Sequence, residues 1–201
     1  MLVEYVQPIR DKKQIEAMKR ILRANKGTGL RDHCLFVLGI NSGLRVSDLL
    51  ALRVADVVDE RGRARERIGI QERGVREHKT GKIKDFPLGE TSRKAIKEYV
   101  ADRFGDVPLQ PSEPLFLSKK GGPLQRAQAW KILNDAARAI GITERIGTHT
   151  MRKTFGHMAF QSGVDVTRIQ KLLNHSTPSI TLAYIGIMQE ELDNVYLTLE
   201  L

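Results

Sequence analysis

Hydrophobic residues in this chain recur at helical spacing from one end to the other except in one window, 64–88, where the repeat shortens towards two. That single change of period constrains the fold more than any other feature. It predicts a mostly helical α+β protein, a helical bundle carrying one small antiparallel β-sheet. Within the window Ile68, Ile70, Ile83, Phe86 and Leu88 stand among polar residues, and Gly74 and Gly81 punctuate it. On either side, helices read off from their apolar faces and end signals. Asp11 followed by Gln14 is a capping-box signature, and Ile15, Met18, Ile21 and Leu22 share the face of a helix over 11–25. A second helix over 30–43 ends at Gly43, whose missing Cβ suits a left-handed cap, and a short third spans 47–52. Further helices are expected over 91–104, 125–140, 149–161, 166–173, 179–185 and 189–199, with an edge strand at 115–117 after the loop marked by Pro108, Pro111 and Pro114. Trp130 falls with Leu133, Ala137 and Ile140 and reads as core.

No internal repeat or long linker divides the 201 residues, so the chain reads as a single domain, 1–201, with a short helical extension at 1–30 and a tail helix at 187–201. At 41% hydrophobic and 28% charged it has the material for a core and is no disordered polyelectrolyte. The longest apolar run, Cys34 to Ile40, is seven residues including a glycine, which excludes a transmembrane helix and a signal-peptide core. The one cysteine, Cys34, excludes an internal disulfide scaffold and a thiolate zinc finger, and reads as a small core residue. A cytoplasmic protein, nucleoid-associated if bacterial or phage, is expected. The excess of 33 Lys+Arg over 24 Asp+Glu leaves +9, a balance that suits a polyanion such as nucleic acid. Basic residues crowd 61–84, including Arg76, Lys79, Lys82 and Lys84, although a solvated hairpin has the same look.

Taken singly, the polar motifs have bland readings. His149 and Arg152, three apart on one helical face, can meet one phosphate or only solvent. Gly43-Leu44-Arg45 can be a helix cap with a solvated arginine, and His78-Lys79-Thr80-Gly81-Lys82 an ordinary turn. Their order is more specific. The stretches NSGLRVSDLLALRVADV (41–57), HKTGKIKDFPLG (78–89), THTMRKTFGHMAF (148–160) and LLNHSTPSITLAYIG (172–186) resemble, in sequence, the motif boxes of the tyrosine recombinases, the phage integrase family. The spacings of 23 residues from Arg152 to His175 and nine from His175 to Tyr184 fall in the family's register, and the resemblance covers about residues 8 to 190.

The resemblance implies a tyrosine-recombinase catalytic-domain fold and site-specific DNA breakage and rejoining through a covalent 3′-phosphotyrosine, with no metal or nucleotide cofactor. Matched position by position, Arg45 and Arg152 would clamp the scissile phosphate, Tyr184 would be the nucleophile, and His149 the general base. His175 would hydrogen-bond a non-bridging oxygen, and Lys79 would protonate the departing 5′ oxygen, with Lys82 its rival. Asp48, one turn after Arg45, would buttress the cluster from behind. Lys82, Lys84, Arg76 and Lys153 are the expected DNA contacts. Double-stranded DNA is the implied partner, with self-association on it and no membrane; the segment 190–201 can either dock on a neighbour or pack on its own core.

Family members carry a further helical domain ahead of the catalytic one, and only residues 1–30 stand there in this sequence. Three explanations follow: an accessory partner supplies the missing half of the clamp, the chain is a relic or fragment, or it is a minimal recombinase. Two other functions share the sequence features. One is a relaxing enzyme resembling type IB topoisomerases, and the other is a DNA-binding accessory protein that does not cleave.

Overall fold

The structure, a computed structural model, describes residues 6–71, 83–187 and 197–199. The elements run α1 (Lys12–Arg23), α2 (Gly29–Ser42), α3 (Val46–Leu50), α4 (Val54–Val57), β1 (Arg67–Gln71), β2 (Ile83–Pro87), α5 (Glu90–Phe104), α6 (Arg126–Ala139), α7 (Thr150–Gln161), α8 (Val166–Leu172) and α9 (Pro178–Ile185). The Asp11 carboxylate starts α1 by accepting from Lys13 N at 2.7 Å. Helix α2 is the axis of the molecule: Cys34, Leu35, Phe36, Val37 and Leu38 are all buried, and α1, α5 and α7 pack around it. Burial pushes the Cys34 thiol far up, as expected of a core cysteine.

The two strands pair antiparallel with Ile68 opposite Phe86 and Ile70 opposite Lys84. Ile68 and Ile70 turn inward, whereas Arg67 and Asp85 form an exposed ion pair at 2.8 Å on the other face. The tip between the strands, with Arg76, Lys79 and Lys82, lies outside the described residues, as does nearly all of the expected tail helix.

Three expectations change. The edge strand at 115–117 is replaced by isolated bridges, Arg53 to Pro114 and Leu117 to Pro123, because prolines at both ends supply no ladder N–H. The segment is instead held by single bonds, Leu115 N to Leu52 O and Leu124 N to Phe116 O. Helix α4, a single turn, had no period long enough to register in the sequence. Trp130 is 50% exposed rather than core. The buried arc of α6 is made by Ala129, Leu133, Ala136 and Ala137, and Trp130 falls at its edge in the first turn.

The apolar residues divide into two clusters. The large one surrounds α2; a smaller one of Ile169, Leu173, Ile185 and Ile187 joins α8 and α9 to the outer face of α7. Helix α7 therefore belongs to both, and its polar residues lie along the seam.

Candidate active site

Each functional side chain sits where a helix begins or ends. Gly43 ends α2 in the left-handed conformation (φ 61°), and a Cβ there would lie 2.6 Å from the Phe155 ring, so both backbone and space require glycine. The chain then turns through buried Leu44, Arg45 and buried Val46, which leaves Arg45 half-buried at the N-cap of α3. Asp48 is buried on the inner side of α3, and its backbone N–H bonds the Arg45 carbonyl at 3.0 Å.

Arg152 is 3% exposed, and its guanidinium donates to the carbonyls of Gly43 and Leu173. These are the C-caps of α2 and α8, so two helix C-termini point their negative ends at one buried cation. That arrangement offsets the desolvation of a charge that would otherwise be costly to bury. It also ties the α2–α3 corner to the end of α8, on either side of α7.

Around Tyr184 the geometry is close. His149 Nδ1 is 3.3 Å from the phenolic oxygen, and the His175 ring meets the Tyr184 ring edge-on at 4.8 Å between centroids. Lys153 Nζ stands 5.0 Å over the face of the same ring. Burial raises the Tyr184 pKa, against the opposing effect of the Arg152 and Arg45 charges and a hydrogen bond from Arg152. For His149 the shift is downward: desolvation is the largest cause, followed by the charges of Arg126, Arg152, Lys153 and Arg45. His175 is lowered to about 4, by desolvation first and then by Arg152 and Arg45. Both imidazoles are therefore neutral at pH 7, and the phenol is protonated. Partial burial also lowers the Lys153 ammonium.

The structure thus brings Arg45, His149, Arg152, His175 and Tyr184 together, with Asp48 beneath. Lys153, expected as a DNA contact, lies at the face of Tyr184. Lys84 is tied to the protein, its Nζ donating to the Leu172 carbonyl at 3.0 Å and lying near the Phe86 ring. Four residues that sequence reasoning missed support the cluster. Thr181, fully buried, places its hydroxyl 3.1 Å from His175 Nδ1 and 3.2 Å from the Thr177 carbonyl, which orients the ring. His157, buried on α7, donates from Nδ1 to the Ile185 carbonyl at 3.2 Å. Arg126 places a charge near His149 from the start of α6, and Arg10 reaches the end of α9. Thr181 and His157 lay inside recognised boxes, 172–186 and 148–160, without being singled out there, whereas Arg126 and Arg10 lay in none.

Among the described residues no group of three or more His, Cys, Asp or Glu is placed to hold a metal ion, and no helix is long and apolar enough to cross a membrane.

A helical bundle with a small antiparallel sheet and this cluster at the helix ends is the catalytic-domain fold of the tyrosine recombinases. It superposes on a crystal structure of XerA recombinase with a TM-score of 0.72 at 19% identity, over 98% of this chain and 64% of that one. XerH recombinase, solved bound to a palindromic difH substrate as a post-cleavage complex, matches with a TM-score of 0.70 at 19% identity, over 94% of this chain and 51% of that one. The phage integrase family model matches residues 10–191, and the chain belongs to that family. It is 41% identical over 187 residues to a probable integrase/recombinase, YoeC, of Bacillus subtilis (strain 168), covering 92% of each chain. Tyrosine recombinase XerD of Corynebacterium glutamicum is 31% identical over 167 residues, covering 83% of this chain and 52% of that protein. The chain thus spans about half the length of this XerD relative and nearly all of the YoeC one.

Proposed function

We propose that this protein is a site-specific DNA recombinase that cuts and rejoins strands through a 3′-phosphotyrosine on Tyr184. The observation that carries this reading is the 3.3 Å contact between the Tyr184 hydroxyl and His149 Nδ1, beneath the charges of Arg45 and Arg152. A neutral imidazole is the form that accepts a proton, and the depressed pKa keeps His149 in it. As Tyr184 Oη attacks the scissile phosphorus, His149 takes the phenolic proton. The P–O5′ bond breaks and the 5′ oxygen leaves with a proton from Lys79. Arg45 and Arg152 hold the phosphate oxygens, whose charge grows in the transition state; removing one such donor costs about 3–4 kcal/mol in the barrier. His175 directs its Nε2–H to a non-bridging oxygen, with Nδ1 accepting from the Thr181 hydroxyl. Rejoining runs the same steps backwards with a new 5′ hydroxyl as nucleophile.

Asp48 supports the arginines from the core side in this scheme. Lys153 neutralises the phosphate beside Tyr184, while Lys82, Lys84 and Arg76 are the further contacts to the duplex that this reading calls for. Copies of the chain associate on double-stranded DNA. The protein works in the cytoplasm, where its DNA substrate lies.

The test is incubation with nicked suicide duplexes of candidate sites, or with supercoiled plasmid where no site is known. The wild-type chain traps a covalent adduct; Tyr184→Phe forms none while its DNA affinity stays within about twofold, because only the nucleophilic oxygen is lost. An adduct that survives the substitution moves the nucleophile elsewhere, Tyr196 first.

A further inference from the structure

Ahead of α1, residues 6–11 run as an extended strap along the outer side of α7, and its contacts are specific. Gln7 N donates to the Arg145 carbonyl at 2.9 Å, and the Gln7 carbonyl accepts from Thr150 Oγ1 at 2.9 Å. Ile9 N donates to Thr154 Oγ1 at 2.9 Å, one turn further along α7, and the Ile9 side chain is buried. Arg10 then crosses to α9, its Nη2 donating to the Gly186 carbonyl at 2.8 Å. Two glycines make room for the strap. A Cβ on Gly147 would stand 2.9 Å from Val6 Cγ2, and one on Gly186 would stand 3.0 Å from Arg10 Nη2 and 3.4 Å from Pro8 Cδ.

These bonds touch both partners of the proton transfer. At one end the strap holds the 145–150 segment that carries His149; at the other it holds Gly186, two residues past Tyr184. Gly186 is the left-handed C-cap of α9 (φ 79°), so its carbonyl and that of Ile185 close the helix that presents the tyrosine. His157 takes the Ile185 carbonyl from α7, and Arg10 takes the Gly186 carbonyl from the strap. A cation at a helix C-terminus is also favoured by the helix dipole.

We propose that the 6–11 strap fixes the distance between Tyr184 and His149, with Arg10 as a positioning residue for the nucleophile. The proposal rests on the reading of Tyr184 as nucleophile. It follows that whatever pulls on the chain ahead of residue 6 is felt at the nucleophile's helix through bonded contacts, with Ile9 seating the strap in the large core. Arg10 does not touch the reacting atoms; it acts through the end of α9.

The experiment compares wild type, Arg10→Ala, Arg10→Lys and Tyr184→Phe in the full chain. Single-turnover adduct formation is measured on a nicked duplex, affinity on the same duplex, and amide hydrogen exchange without DNA. Arg10→Ala is expected to slow adduct formation by about 30-fold, since a misplacement of about 1 Å can cost 10²-fold, with affinity changed less than threefold. Exchange should rise in 182–187 and stay unchanged in α2 and α5. Arg10→Lys keeps a donor in reach of the carbonyl and recovers most of the rate. Three results would overturn the proposal: unchanged exchange in 182–187, a rate within twofold of wild type despite faster exchange, or a rate loss matched by an equal loss of affinity. The last would make Arg10 a phosphate contact. If wild type gives no adduct, or Tyr184→Phe still gives one, the reading of the site fails instead, and the exchange data alone decide whether Arg10 holds α9.

Discussion

Two neutral histidines and a protonated phenol lie under the charges of two arginines. At the residue scale, the sharpest consequence concerns His175. Its folded pKa lies at about 4 against an ordinary 6.5, so on acidification the unfolded chain takes up the proton first. The ring's contribution to stability is whole above pH 6.5 and is lost as pH falls towards 4; His149, shifted the same way, adds to the loss. Melting curves at pH 7.5 and 4.5 should therefore show a smaller drop for His175→Asn than for wild type. Equal drops would mean that the ring is solvated. Arg45, His149, Arg152, His175 and Tyr184 could be picked out of the sequence because the stretches that hold them resemble, in order and spacing, the boxes of the tyrosine recombinases. Thr181, His157 and Arg126 could not, since a hydroxyl, an imidazole and a guanidinium acquire such roles only from what they face.

At the scale of elements, the placement of Tyr184 depends on how closely α9 approaches α7. Gly156 permits that approach: a Cβ there would lie 2.6 Å from Ile185 Cγ2 and 3.1 Å from Leu173 Cδ1. Gly156→Ala should push α9 outward, lower stability by about 1–3 kcal/mol and slow adduct formation by more than about tenfold. Gly122→Ala, where a Cβ meets nothing within 4 Å, is the control and should stay within about 0.5 kcal/mol of wild type. Urea denaturation and single-turnover cleavage check both. Unimpaired cleavage by Gly156→Ala would show that α9 can shift without disturbing Tyr184. Most helices lay close to their expected bounds, because Asp11, Gly43, Asp165, Thr177 with Pro178, and Gly186 are local start and stop signals. The strand at 115–117 and buried Trp130 failed because apolar character was read without knowing which neighbours the segment would meet.

For the whole molecule, the +9 charge and the arginines at the site predict DNA binding governed by counterion release. Each phosphate neutralised contributes about −0.9 to the slope of log K against log salt, so a slope of about −4 or steeper is expected in a titration with a duplex. A slope shallower than about −2 would leave fewer than about three phosphates engaged and remove the reading of the basic surface as a DNA track.

The sequence by itself determined the helical bundle with one small hairpin, the family, and the identity of the proposed reacting groups, since period, caps and motif order are properties of neighbouring residues. Tertiary structure alone decided how those groups are held. Arg152 lies between the C-termini of α2 and α8 because two helices far apart in the chain end at one point, Gly43 standing 109 residues before it. Arg10 reaches Gly186 across 176 residues because the strap and α9 both pack on α7, and no local pattern records a meeting at that separation.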